Sequence, residues 1–169
     1  MLNLPNSITV SRLIGVPFLL YLLDQPTEQS RWWALGIFAL VAGTDWLDGF
    51  LARKLDQITD LGKFLDPLVD KLLVLAPLLS ILAWGVIPAW AVFLWIGREV
   101  AIAGWRVNQP KIIGANLWGK AKTVTQIGAI ALLIAPLSPT WQPPTLILFW
   151  LALALTLWSG LIYIKGQET

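Results

Sequence analysis

Residues 44–71 read TDWLDGFLARKLDQITDLGKFLDPLVDK, and this one stretch holds six of the ten acidic residues in a chain of 169. The surrounding sequence is of another kind. The chain is 57% hydrophobic and only 13% charged, with a mean hydropathy of +0.70, whereas a soluble domain carries about a quarter charged residues. Carboxylates are thus gathered in a chain otherwise suited to hydrocarbon. Their spacing is regular. Asp45 and Asp48 are three apart, and Asp66 and Asp70 are four apart, so each pair falls on one face of a helix.

Outward from this stretch, polar and Pro/Gly breaks divide the chain into six apolar segments, 7–23, 32–52, 62–84, 88–107, 118–136 and 144–164. Each is close to the ~20 residues that cross ~30 Å of hydrocarbon. Helices are the expected form, because backbone amides in lipid must pair within their own segment. Pro88 and Pro144 suit helix starts, and Pro5 precedes Asn6, an expected N-cap. The expected fold is an all-α membrane protein of six transmembrane helices, with residues 1–169 as one domain. The first segment follows Asn3, Pro5 and Asn6 rather than a basic region, and no small-residue cleavage site follows it; it is expected to remain in the mature protein.

The basic residues give an orientation. Arg53, Lys54 and Lys63 flank the second connection, Arg106, Lys111, Lys120 and Lys122 the fourth, and Lys165 follows the last segment. The opposite side holds Arg31 alone, beside Asp24 and Glu28. The positive-inside rule then places both termini and the even-numbered connections in the cytoplasm, with the acidic stretch on that side. Trp32, Trp33, Trp84, Trp90 and Trp141 fall at the proposed outer boundary, and Trp105, Trp118 and Trp158 at the inner one, where an indole sits at headgroup level.

The chain has no cysteine and no histidine. Disulfides and thiolate metal sites are excluded, and any base or metal ligand must be a carboxylate or another oxygen. The net charge of +2 is small, and no nucleic-acid partner is expected. Asp56 and Asp60 suit ordinary solvated loop charges. For Asp45, Asp48, Asp66 and Asp70 the antiparallel helices on either side of a short turn let two acidic faces meet. An Asp at a span centre costs about 2.5–3.5 kcal/mol, less near an end, and neighbouring carboxylates repel. Divalent cations relieve both, and an all-oxygen set suits Mg, Mn or Ca. Solvated helix-end charges and an ion or proton relay of a cation-coupled transporter are the alternatives. Gly49, Ala52 and Gly62, small residues beside the carboxylates, let a bulky group approach the backbone or let helices pack closely. Arg53 can grip a phosphate or snorkel to the interface.

Written out, the residues spell Asp45-x2-Asp48-Gly49-x2-Ala52-Arg53-x8-Gly62-x3-Asp66-x3-Asp70 over 26 positions. This pattern resembles the complete signature of the CDP-alcohol phosphotransferase family. The segments NLPNSITVSRLIGVPF, TDWLDGFLAR, FLDPLVDKLLV, GREVAIAGWR, GKAKTVTQ and LTLWSGLIY resemble, in order, the bacterial branch of that family, whose members move the phosphatidyl group of CDP-diacylglycerol to glycerol 3-phosphate and release CMP. The resemblance implies a six-span homodimer among the lipids of a bacterial-type inner membrane, its active site facing the cytoplasm. It implies that Asp45, Asp48, Asp66 and Asp70 are ligands of two divalent cations, Mg or Mn, and that Asp70 is the general base. It implies donor contacts from Asp48, Gly49, Ala52, Arg53 and Gly62, and from Asn6 and Thr59 at the nucleotide end; for the last two, helix cap and turn residue are the alternatives.

Glycerol 3-phosphate brings a dianion that bare carboxylates repel, so basic residues are expected to face the same cavity. The candidates are Arg12, Arg98, Arg106, Lys120 and Lys122. Arg98 is the most informative, because an arginine eight residues inside a span end is costly without a partner. Glu99 is either that partner or a helix-packing contact. Inositol phosphate, serine or phosphatidylglycerol is the alternative acceptor.

Overall fold

The computed structural model describes the backbone of residues 4–55, 60–107 and 117–165, and the side chains of residues 13–44, 68–105 and 118–163. Six helices carry it: α1 (Leu4–Asp24), α2 (Glu28–Leu55), α3 (Asp60–Ala83), α4 (Ala89–Val107), α5 (Leu117–Ile134) and α6 (Gln142–Lys165). A single 3-10 turn at Pro139–Trp141 leads into α6. Among the described residues there is no strand. The chain is all-α, and each apolar segment expected from the sequence coincides with one helix.

The N-terminus differs from expectation. α1 is already helical at Leu4, so Asn6 lies inside the helix and is not its N-cap. Pro5 instead occupies the first turn, where its missing N–H has no intrahelical partner to lose. Pro88 does open a helix: its carbonyl accepts from Ala91 N–H at 3.1 Å and from Val92 N–H at 3.4 Å. Pro144 lies in the first turn of α6.

The chain divides into two compact units. The first comprises the chain up to Ser80 together with Ile134–Pro136. Here α1 packs on α2, with Val16, Leu19 and Leu23 buried on one helix and Ala34 and Phe38 on the other. Gly15 permits the approach, since a Cβ there would stand 3.3 Å from Cγ2 of Val41, in keeping with small residues at close helix crossings. The turn into α2 is a reciprocal cap. Thr27 N–H donates to Ser30 Oγ at 2.9 Å, and Ser30 N–H to Thr27 Oγ1 at 3.1 Å, which satisfies two amides at the helix start. One turn on, Arg31 donates from Nε to the carbonyl of Ile134 at 2.9 Å and from Nη2 to that of Ala135 at 2.8 Å. A guanidinium there satisfies carbonyls left open where a helix ends and complements its dipole.

The second unit comprises Ile81–Leu133 and the chain from Leu137. It begins with a Schellman turn. Gly85 N–H donates to Leu82 O at 2.9 Å and Val86 N–H to Ile81 O at 3.4 Å, with Gly85 at φ 73°, a conformation that favours glycine. Aromatic rings join α4 to α6: Trp95 stacks on Phe149 at 5.6 Å and Trp90 on Trp150 at 5.3 Å, while Trp105 meets Tyr163 edge-on at 6.0 Å. Ala129, Ile130 and Leu133 supply the buried face of α5.

The outer surface is also apolar. Every helix exposes large hydrophobic side chains, among them Ile14, Leu40, Leu79, Phe93, Val124 and Ile147. Of the tryptophans expected at the boundaries, Trp32, Trp33, Trp90, Trp118, Trp141 and Trp158 are exposed, while Trp84 and Trp105 are half-buried. Among the described residues, one stretch is long and apolar enough to cross a bilayer, the 25 residues Pro139–Tyr163. Leu13–Asp24 is a shorter apolar stretch.

Candidate functional site

α2 runs unbroken through Asp45, Asp48, Gly49, Ala52 and Arg53, and α3 through Gly62, Asp66 and Asp70. The helical spacing read from the sequence is therefore realised in the backbone. At about 100° per residue, three- and four-residue steps leave the members of each pair about 40–60° apart around the axis. Asp70 is half-buried, one residue after the fully buried Val69 and three before the buried Leu73. The side chains of Asp45, Asp48, Gly49, Ala52, Arg53, Gly62 and Asp66 lie outside the described residues, as do those of Asn6, Arg12 and Arg106, and Thr59 altogether. Among the described residues, no three acidic side chains converge; Asp70 is the one aspartate of the four that they include.

Of the five basic candidates, Arg98 and Lys122 are brought together, in the second unit. Arg98 and Glu99 lie on α4, Lys122 and Gln126 on α5, and Thr156, Ser159 and Gly160 on α6. Lys122 Nζ lies 2.6 Å from Glu99 Oε1, and Arg98 Nη1 lies 3.1 Å from the same oxygen. The side chains of Arg98 and Lys122 are each 13% exposed and that of Glu99 16%. An ion pair this far from solvent needs further hydrogen bonds to offset desolvation, and α6 provides them. Arg98 Nη2 donates to Ser159 Oγ at 3.0 Å, and that hydroxyl donates on to Thr156 O at 3.1 Å. Gln126 Nε2 donates to Thr156 Oγ1 at 2.8 Å and lies 3.5 Å from Glu99 Oε1. The Thr156 hydroxyl donates in turn to Ala152 O at 2.6 Å.

Gly160 makes the room. A Cβ at this position would stand 2.9 Å from Arg98 Nε and 3.2 Å from its Cγ. The arginine stem thus lies against bare backbone of α6. Lys120, two residues before Lys122 on α5, is exposed and points away from the cluster, as a two-residue step on a helix requires.

Glu99 is the partner that Arg98 demands. Sequence reasoning missed Gln126, Thr156, Ser159 and Gly160. Their signal was present, as polar or glycine positions three or four apart in otherwise apolar helices, three of them within LTLWSGLIY. Chemically, Arg98, Glu99 and Lys122 combine two cations with one carboxylate. All three are held in fixed geometry by contacts between α4, α5 and α6.

Comparison with known proteins bears on the whole chain. The family model described as CDP-alcohol phosphatidyltransferase matches residues 2–158. A protein of Bacillus subtilis (strain 168) is 36% identical over 182 residues, covering 96% of this chain and 94% of its own. One from Haemophilus influenzae is 35% identical, covering 96% and 92%, and one from Escherichia coli (strain K12) is 34% identical, covering 98% and 95%. All three carry the name CDP-diacylglycerol–glycerol-3-phosphate 3-phosphatidyltransferase.

Proposed function

This chain belongs to the CDP-alcohol phosphatidyltransferase family, and from that membership we propose that it transfers the phosphatidyl group of CDP-diacylglycerol to glycerol 3-phosphate, giving phosphatidylglycerophosphate and CMP. The observation that carries the reading is the acidic signature from Asp45 to Asp70, complete in sequence and set on two unbroken helices. Membership of an enzyme family removes the reason to read these carboxylates as a transporter's relay.

The donor is a lipid, so its chains stay in the leaflet while its diphosphate reaches the protein. Six spans, cytoplasmic termini and a cytoplasm-facing site in a bacterial-type inner membrane fit this requirement. The apolar outer surface and the distribution of Lys and Arg support it. The whole chain acts as one catalytic domain, paired as a homodimer.

Asp45, Asp48, Asp66 and Asp70 are the ligands we assign to two divalent cations, Mg or Mn; the all-oxygen donor set and its helical spacing fit such ions. Bound there, they supply charge neutralisation at the diphosphate and on the departing CMP. Asp70 takes the proton from the acceptor hydroxyl. Gly49, Ala52 and Gly62 leave room for the cytidine, Arg53 contacts donor phosphate, and Asn6 and Thr59 line the nucleotide end. The acceptor's phosphate is assigned to Arg98 and Lys122; Arg12 and Arg106 are kept as further basic candidates from the sequence, and Lys120, which faces away from this cluster, is not.

The test is an acceptor panel. Purified protein receives CDP-diacylglycerol with glycerol 3-phosphate, inositol phosphate, serine or phosphatidylglycerol, with and without Mg or Mn. CMP release with glycerol 3-phosphate alone supports the proposal. Release that ignores glycerol 3-phosphate and follows another alcohol refutes it.

A further inference from the structure

Among the described side chains, exposed charge is scarce. Asp24 and Glu28 stand exposed at the connection between α1 and α2, and Lys120, at the start of α5, is the one exposed cation; Arg31, Lys71, Arg98 and Lys122 are half-buried. Lys122 is held by Glu99 at 2.6 Å, whereas Lys120, two residues earlier, faces away from that pair. We propose that the face of α5 headed by Lys120 is a contact site for an anionic phospholipid of the bilayer, with the Lys120 ammonium on the lipid's phosphate and Thr123 and Val124 against its acyl chain. The proposal rests on the membrane-spanning reading of the chain and not on the reaction assigned to it.

Charge complementarity and the shape of the face carry this. Thr123 and Val124 stand three and four residues beyond Lys120, on the same side of the helix. Both are exposed, Val124 at 71%. The Thr123 hydroxyl donates to Gly119 O at 3.1 Å, so its polar atom is engaged with its own helix. The face is therefore a cation above an apolar surface, which matches the order of phosphate and acyl chain in a phospholipid. A lysine at a span end keeps its ammonium at headgroup level while its stem lies along the helix. Near an acidic leaflet such a lysine favours an anionic lipid over a neutral one about fivefold. Asp24 and Glu28, on the proposed opposite side of the bilayer, repel the same headgroup, so the exposed charges give the two leaflets different preferences.

The experiment titrates the full chain, purified in a neutral detergent, with phosphatidylglycerol or phosphatidylcholine and counts bound lipid by native mass spectrometry. Wild type is expected to hold phosphatidylglycerol about fivefold more tightly than phosphatidylcholine. Lys120→Gln is expected to lose that preference while its affinity for phosphatidylcholine stays the same, and Lys120→Arg, which keeps the charge, is expected to match wild type. A second measurement needs no variant. The wild-type chain in vesicles of phosphatidylcholine, with or without phosphatidylglycerol, is treated with an uncharged amine-acetylating reagent, and each lysine is read by peptide mass spectrometry. Acetylation of Lys120 is expected to slow when phosphatidylglycerol is present, and that of Lys122, paired within the chain, to stay the same.

Equal affinity of wild type and Lys120→Gln for phosphatidylglycerol overturns the proposal, and so does an equal loss for both lipids, the mark of a disturbed fold. Acetylation of Lys120 that ignores phosphatidylglycerol, or that slows no more than that of Lys122, overturns it as well. Neither measurement uses CDP-diacylglycerol or glycerol 3-phosphate. A chain that prefers the acidic lipid through Lys120 and releases no CMP keeps the site and loses the reaction. A chain that turns over and fails these tests loses only the site.

Discussion

Lys122 Nζ lies 2.6 Å from Oε1 of Glu99, tying α5 to α4 across 23 residues of sequence through an ion pair with little exposure. Arg98 completes it from the position before Glu99. Three side chains from two helices thus meet at one carboxylate oxygen.

Removing that carboxylate outright has a large effect on stability. Glu99→Ala leaves Arg98 and Lys122 without their shared counterion in a site of low exposure, and the expected loss is about 3–5 kcal/mol. The double change Glu99→Ala with Lys122→Met removes one cation as well and is expected to recover part of it. Thermal unfolding in detergent measures both. Equal Tm values for wild type and Glu99→Ala contradict the cluster as described.

A second clamp is separate from the chemistry. Arg31 donates to the carbonyls of Ile134 and Ala135 at 2.9 and 2.8 Å. Arg31→Met keeps much of the apolar stem and leaves both carbonyls without these donors, which is expected to cost about 1–3 kcal/mol. Tm should fall while both KM values stay at wild-type level. A selective change in KM for either substrate contradicts a purely structural role.

Metal removal is expected to stop turnover without unfolding the chain. Helices in lipid satisfy their backbone internally, so the carboxylates are not required to be bridged for the fold to persist. Exhaustive chelation should abolish CMP release with helical circular dichroism unchanged, and Mg or Mn should restore it. Full activity after chelation contradicts the assigned ligands.

The fold was legible because its signal is one-dimensional. A run of about 20 apolar residues names a helix wherever it stands, and six such runs became α1 to α6. The helical setting of the acidic residues on α2 and α3 was legible for the same reason. Asp45 to Asp70 lie in one contiguous stretch, and helical periodicity alone pairs them by face. The cluster around Glu99 was legible only in part. Arg98 announced the need for a partner, and Glu99 stood next to it, but neither Ser159, 61 residues away, nor Lys122 could be joined to them by spacing. Arg31 likewise gave no hint of carbonyls 103 and 104 residues away. The cap expected at Asn6 failed because Pro5 marks a first turn as readily as it precedes one. What the sequence withheld was tertiary contact between helices, which periodicity does not encode.

The account rests most heavily on carboxylates that act through bound metal. The direct measurement is CMP release from CDP-diacylglycerol and glycerol 3-phosphate as Mn is titrated, with wild type and Asp70→Asn side by side. The wild-type chain should release CMP in proportion to metal occupancy, and the folded Asp70→Asn chain should release almost none at any concentration. Turnover without metal, or near-wild-type turnover from Asp70→Asn, contradicts the account.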